Sequence, residues 1–211
     1  MNWREIDIIK YIWLNYFCKN VIRHGKGKIL PYKYAVIDVN KKAQIHIYDA
    51  DISIGVNKLR GSKAETYIRL RTGAVWNAEG GCEISYGSTI EILADAKLES
   101  KYFTMNSFST IVAGKRIELG QDVMIARNVV IYDSDFHNIE TCDKKNVKAA
   151  DVKIGNHVWI AANSIILKGV TIEDNSVISA DTLVLDDVKE NVLVGNEKKI
   201  IILKSDIEWK R

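Results

Sequence analysis

Ile154-Gly155-Asn156-His157-Val158-Trp159, Ile160-Ala161-Ala162-Asn163-Ser164-Ile165, Ile166-Leu167-Lys168-Gly169-Val170-Thr171, Ile172-Glu173-Asp174-Asn175-Ser176-Val177, Ile178-Ser179-Ala180-Asp181-Thr182-Leu183 and Val184-Leu185-Asp186-Asp187-Val188-Lys189 follow one another without interruption. Position one is Ile in five units and Val in the sixth. Position five is Val158, Ser164, Val170, Ser176, Thr182 and Val188, always small or β-branched. Six residues cannot form an independent unit. Stacked coils of such units bury position one as an aliphatic ladder, with small fifth residues where the chain turns a corner. A shorter run of the same kind opens at Leu119, passes through Ile125 and stops at Ile131-Tyr132-Asp133-Ser134. The interruption between the runs, 135–153, reads as a projecting loop.

Upstream the period blurs. Gly73-Ala74-Val75, Glu83-Ile84-Ser85, Thr89-Ile90-Glu91-Ile92 and Ser109-Thr110-Ile111-Val112 read as degenerate coils. Composition agrees with an all-β chain: 30 Ile and 18 Val stand against 12 Leu, and β-branched side chains fit pleated surfaces better than helices. A single proline, Pro31, occurs where ordinary usage gives about ten. The first twenty residues are the exception. Asn2 and Glu5 have capping-box spacing, and Ile6, Ile9, Ile12, Trp13, Tyr16 and Phe17 recur at helical intervals. This predicts a helix packed on the body of the domain, with a basic amphipathic helix touching a membrane face as the alternative, a contact through residues 3–28. The expected organisation is an N-terminal helix and connector over 1–40, the coils over 41–194 and a C-terminal cap over 195–211.

The 211 residues carry 47% apolar and 27% charged side chains, which excludes a disordered or low-complexity chain. A net charge of +3 without blocks of like charge gives no footprint for nucleic acid. Cys18, Cys82 and Cys142 are scattered and odd in number, as in a reducing, cytoplasmic setting. No stretch is long and apolar enough to span a bilayer.

The residues Val158-Trp159-Ile160-Ala161-Ala162, Ile166 to Ile172, Asp174 to Ala180 and Val194-Gly195-Asn196 resemble those of the hexapeptide-repeat acyltransferases, especially bacterial sugar and polysaccharide O-acetyltransferases of the galactoside/maltose type. Residues 1–40 are similar to the N-terminal segment of capsule and lipopolysaccharide O-acetyltransferases. The resemblance implies a left-handed parallel β-helix, a homotrimer with sites between subunits, and acetyl-CoA as co-substrate. The family's catalytic histidine follows the first clean run, the place of His137 here. The chemistry asks for such a group: an alcohol is a poor nucleophile, and imidazole is a base poised near neutral pH. Asp133 or Asp135 would orient its ring, with Asp135 preferred.

By the same resemblance Asn106, in Tyr102-Phe103-Thr104-Met105-Asn106, is the acceptor-binding candidate. Trp159 lies beside the acetyl-CoA arm, and Ala161, Ala162 and Ala180 line its groove. The chain departs from the family at Leu185-Asp186, where Thr-Lys is usual, and at Glu197, where Pro is usual. Lys198 and Lys199 would then supply the charge for the nucleotide end. His157 reads as a corner residue, His46 as a strand residue and His24 as part of a basic turn, and Cys142 as a loop thiol. Only His137 and His157 lie in the repeat region, too few for a three-histidine zinc site, and no metal is expected. The expected function is transfer of acetyl from acetyl-CoA to a sugar hydroxyl, the sugar being a cell-surface polysaccharide (capsule or O-antigen) unit or its precursor. The alternatives are N-acetylation of an amino-sugar nucleotide and a non-catalytic β-solenoid scaffold.

Overall fold

The computed structural model describes residues 5–137, 140–141, 144–145 and 148–196. Among them, three parallel sheets form the sides of a three-sided solenoid. The first side has seven strands, from Val21–Arg23 to Thr171–Ile172. The second has eight, from Ile29–Pro31 to Leu193–Val194. The third has seven, from Ala35–Val39 to Leu183–Val184. The chain visits the sides in rotation, so each strand pairs in parallel with its equivalent one coil away. Ile117 thus registers with Val152, Ile125 with Ile160, and Ile131 with Ile166.

The ladder is where the repeat places it. Ile160, Ile166, Ile172 and Ile178 are fully buried at position one, and Val158, Ser164, Val170 and Ser176 are buried at position five. The corners themselves turn at position four. His157, Asn163, Gly169, Asn175 and Asp181 all have φ between 52° and 83°, the left-handed region that Gly, Asn and Asp enter at least cost. Buried hydroxyls satisfy corner backbone groups: Ser164 Oγ donates to Ser179 O (2.9 Å) and Ser176 Oγ to Lys189 O (2.7 Å).

Three features differ from the sequence expectation. The sixth unit is short. Val188 bridges Ile172 and donates its N–H to Thr171 O, so it opens the next first-side unit rather than filling position five. Its β-branched, apolar side chain satisfies either reading, which is why the period looked unbroken. Residues 21–40, expected to connect, supply the first coil, because Val21–Arg23, Ile29–Pro31 and Ala35–Val39 each pair with a strand of the next.

The third difference is the helix. It runs as an α-helical turn over Ile8–Ile12 and a wider π-helical turn over Trp13–Phe17. Asp7, not Asn2, caps it, accepting from Lys10 N–H at 3.1 Å; Asn2 lies outside the described residues. The expected apolar face is not the packed one. Ile6 and Leu14 are buried, whereas Ile9, Ile12, Trp13, Tyr16 and Phe17 are exposed. Buried Asn15 sets this rotation. Its side chain donates to Tyr11 O and Ile29 O and accepts from Ile29 N–H and Arg23, satisfying the open edge of the first coil.

Candidate functional site

The chain leaves the third side after Val130–Tyr132 and rejoins the first at Val152–Ile154. Ser134 and Ala149 form an antiparallel bridge at the base of this excursion, and Glu140–Thr141 pairs with Lys144–Lys145 farther out. Over its described residues this excursion leaves the coils at the edge between the third and first sides, and it ends at Val152, inside the expected bound of 153.

His137 stands on this base with an exposed side chain. Its N–H donates to Asp135 O at 2.7 Å, a tight turn that fixes the two residues relative to each other. The residue between them, Phe136, has φ 60° and packs edge-on against Tyr132, with ring centroids 5.2 Å apart. Its N–H donates to Ser134 Oγ at 3.0 Å.

The two aspartates have different surroundings. Asp133 is fully buried, and its carboxylate accepts from Gly114 N–H (2.5 Å) and Lys115 N–H (2.8 Å) of the preceding coil. Gly114 makes that approach possible, since a Cβ there would lie 2.8 Å from Ser134 Cβ and 3.3 Å from Asp133 Oδ1. Burial pushes the Asp133 carboxyl above the usual carboxylate range, against the opposing pull of those amides. Asp135 is partly exposed. Its N–H donates to Lys148 O, and its carboxylate pairs with the Lys168 ammonium. Lys168 had no role in the sequence reading. It was legible only as a cation in the third clean unit, and the coil stacking that carries it to Asp135 is a property of the fold.

The other candidates lie elsewhere. Asn106 is exposed at the edge between the second and third sides, where Phe103–Met105 gives way to Thr110–Ala113. Ala161 and Ala162 turn the same edge two coils on, and Ala180 turns it in the coil after that. Trp159 sits on the second side leading into this edge, 46% exposed, registered with Met124 and Val177. Small side chains leave main-chain groups near the surface, although Ala161 N–H is already spent on Ile178 O. Within one chain, then, the structure brings Asn106, Trp159, Ala161, Ala162 and Ala180 along one edge. It sets His137, Asp133 and Asp135 on another.

Leu185 and Asp186 are exposed on the shortened corner beside Asn196, which accepts from Leu183 N–H at 2.6 Å. Glu197, Lys198, Lys199 and Cys142 lie outside the described residues. His157 sits at a corner between the first and second sides, its Nδ1 2.7 Å from Asp122 Oδ2. A groove of about 540 Å³ runs along the first side past Glu99, Glu118, Lys153, Glu173 and Asp174. Its charged side chains are mostly acidic, and its lining includes none of the candidates. Among the described residues no cluster of three His, Cys, Asp or Glu side chains could hold a metal ion.

The family pattern described as bacterial transferase hexapeptide (six repeats) matches residues 151–186, overlapping most of the clean run. A protein of Saccharomyces cerevisiae named as an acetyltransferase, YJL218W, is 32% identical over 179 residues, 82% of this chain and 78% of that protein. The chain belongs to the hexapeptide-repeat acetyltransferases. Galactoside O-acetyltransferase of Escherichia coli K12 is 37% identical over 113 residues, 53% of this chain, and the match spans about half (52%) of that enzyme. The crystal structure of the polysialic acid O-acetyltransferase OatWY aligns with a TM-score of 0.51 at 22% identity, covering 88% of this chain and 96% of the other. That likeness identifies the solenoid as the left-handed parallel β-helix of this family.

Proposed function

We propose that this hexapeptide-repeat protein transfers acetyl from acetyl-CoA to a hydroxyl of a sugar, with His137 as general base. The observation that carries the reading is His137 standing exposed at the root of the excursion, its backbone N–H bonded to the Asp135 carbonyl at 2.7 Å so that the two residues share one tight turn. The galactoside O-acetyltransferase relative supports a sugar hydroxyl as acceptor, and a unit of a cell-surface polysaccharide or its precursor is the acceptor proposed here. A cytoplasmic location, with access to acetyl-CoA, is part of the same proposal.

In the proposed reaction an imidazole nitrogen of His137 takes the hydroxyl proton as the sugar oxygen attacks the thioester carbonyl. The tetrahedral intermediate collapses with cleavage of the C–S bond, and the imidazolium returns its proton to the CoA thiolate. Main-chain N–H groups at the neighbouring edge stabilise the oxyanion. Asp133 is committed to two amides of the preceding coil, so the orienting role falls to Asp135, itself held by Lys168. Trp159, Ala161, Ala162, Ala180 and the Lys198-Lys199 pair take the donor, and Asn106 takes the acceptor.

The separation of these residues onto two edges supports a homotrimer. One chain presents the base on its third-to-first edge and the binding residues on its second-to-third edge, so a neighbour's edge completes each site. The test is calorimetric titration with acetyl-CoA, followed by thiol release over a panel of galactosides, maltose and oligosialic acid. His137→Ala should lose at least about 10²-fold in kcat with donor affinity and assembly unchanged. Absence of donor binding at millimolar acetyl-CoA would favour the scaffold alternative, and near-normal turnover in the variant would remove His137 from the mechanism.

A further inference from the structure

The end of the solenoid carries an apolar surface that the acetyltransferase reading does not use. The helical segment lies across the first coil with Leu14 and Asn15 turned inward. Its other face leaves Ile9 83%, Phe17 70%, Tyr16 63% and Trp13 49% exposed, with Ile8 and Ile12 beside them. Single exposed apolar residues are ordinary, but six large ones on ten consecutive positions form a patch of the kind that marks an interaction site.

The charge of the chain is concentrated at the same end. Residues 1–28 hold Arg4, Lys10, Lys19, Arg23, Lys26 and Lys28 against Glu5 and Asp7, a surplus of four. The other 183 residues hold 24 basic and 25 acidic side chains, so the whole positive balance of the protein resides here. Lys19 and Lys26 are exposed, and Lys28 Nζ stands 5.3 Å above the Tyr16 ring, bringing a cation to the rim of the aromatic patch.

We propose that residues 8–28 dock this end of the solenoid on the surface of an anionic phospholipid bilayer. Trp13, Tyr16 and Phe17 enter the headgroup boundary, where amphipathic aromatics sit, and the lysines meet the negative surface potential. A second copy of the chain fits the patch less well, because self-association would bring two surpluses of positive charge together. No helix among the described residues is long and apolar enough to cross the bilayer, so the contact is interfacial. Docking by the end leaves the three sides and the edge bearing His137 open. The proposal does not depend on the acetyltransferase reading.

The test is flotation of the full-length protein with vesicles of equimolar phosphatidylglycerol and phosphatidylcholine, and with phosphatidylcholine alone. Co-flotation with the anionic vesicles is expected, at least about tenfold weaker on the neutral ones and when salt rises from about 0.1 M to about 1 M. Trp13→Ser/Phe17→Ser should abolish it while leaving a cooperative thermal transition in place, since Phe17 is largely exposed and Trp13 half exposed, both outside the buried core. Lys19→Glu/Lys26→Glu should weaken it on anionic vesicles alone. Wild-type protein that stays at the bottom of the gradient overturns the proposal, as does equal flotation of Trp13→Ser/Phe17→Ser. A drop in assembly mass of that variant by light scattering, with no lipid binding by the wild type, would assign the patch to a second copy.

Discussion

Replacing Asp133 by Asn separates a structural carboxylate from a catalytic one. Asp133 is fully buried and its two oxygens receive the N–H groups of Gly114 and Lys115 at 2.5 and 2.8 Å. An Asn side chain keeps one acceptor oxygen and turns an NH2 group toward the other donor. One part-buried backbone N–H then loses its partner inside the turn, at a cost of about 1–3 kcal/mol. For a chain of this length about 2–4 °C of Tm accompanies each kcal/mol, so circular dichroism melting should show a fall of roughly 2–12 °C at neutral pH. The pH dependence has a definite sign. Burial raises the Asp133 carboxyl above its unfolded value, so the native state holds this proton to higher pH than the unfolded chain does. The contribution of Asp133 to stability therefore grows as pH falls from neutral toward about 4, and fades as pH rises. Asn cannot titrate, so the gap in Tm between wild type and variant should widen on acidification. Activity should change by no more than about threefold for Asp133→Asn, measured below its transition, whereas Asp135→Asn should lose at least about tenfold. An unchanged Tm in Asp133→Asn combined with a 10²-fold loss of kcat would refute the reasoning and make Asp133 the residue that orients His137.

Two further outcomes follow from neighbouring side chains. Ile166 is fully buried between Ile131 and Val184, while Ile165 in the same strand is 38% exposed. Ile166→Ala should cost about 2–5 kcal/mol in thermal or denaturant unfolding and Ile165→Ala about 0.5, and equal costs would contradict the assigned ladder. His46 stacks on His24, with Nδ1 2.9 Å from His24 Nε2, and burial followed by the charge of His24 lowers its pKa. Its neutral form is the one the fold favours, so stability should decline as pH falls below about 6.5. His46→Gln should flatten the slope of Tm between about pH 5 and pH 7, and an unaltered slope would place that dependence elsewhere.

The legible part of this protein is the part with an unvarying period. Ile154 and Ile172 are register partners 18 residues apart, three units of six, and nothing interrupts them. Trp76 and Leu98 are partners at 22 residues, and Leu98 and Ile117 at 19, so the upstream coils blur in sequence while stacking equally well in space. Longer strands and looser corners absorb the difference. The ladder residues could be read because burial demands one residue type. The orientation of the N-terminal helix could not, because Asn15 decides it through hydrogen bonds to Ile29, and a polar residue on an apolar helix reads as solvent-facing. His137 entered as a candidate through the family resemblance, by its place after the first clean run. The distinct environments of Asp133 and Asp135 were not, since two residues of separation in an irregular stretch say nothing of which one meets Gly114 and which Lys168.

The same stacking explains why the candidate residues do not converge within a chain. A coil of about 18 residues returns each corner to its own edge, so residues on different edges stay apart however many coils are added. Asn106, Ala162 and Ala180 accumulate along one edge for that reason, and no local rearrangement can move His137 beside them without dissolving a ladder of buried Ile. The proposed reaction uses both sets, and would draw them from two chains set edge to edge. Substituting His137 in one chain and Asn106 in another would then restore part of the activity on mixing after dissociation, because one site in the mixed assembly regains both residues. Complete absence of such complementation would mean that base and acceptor site belong to one edge, and that Asn106 is a corner residue only.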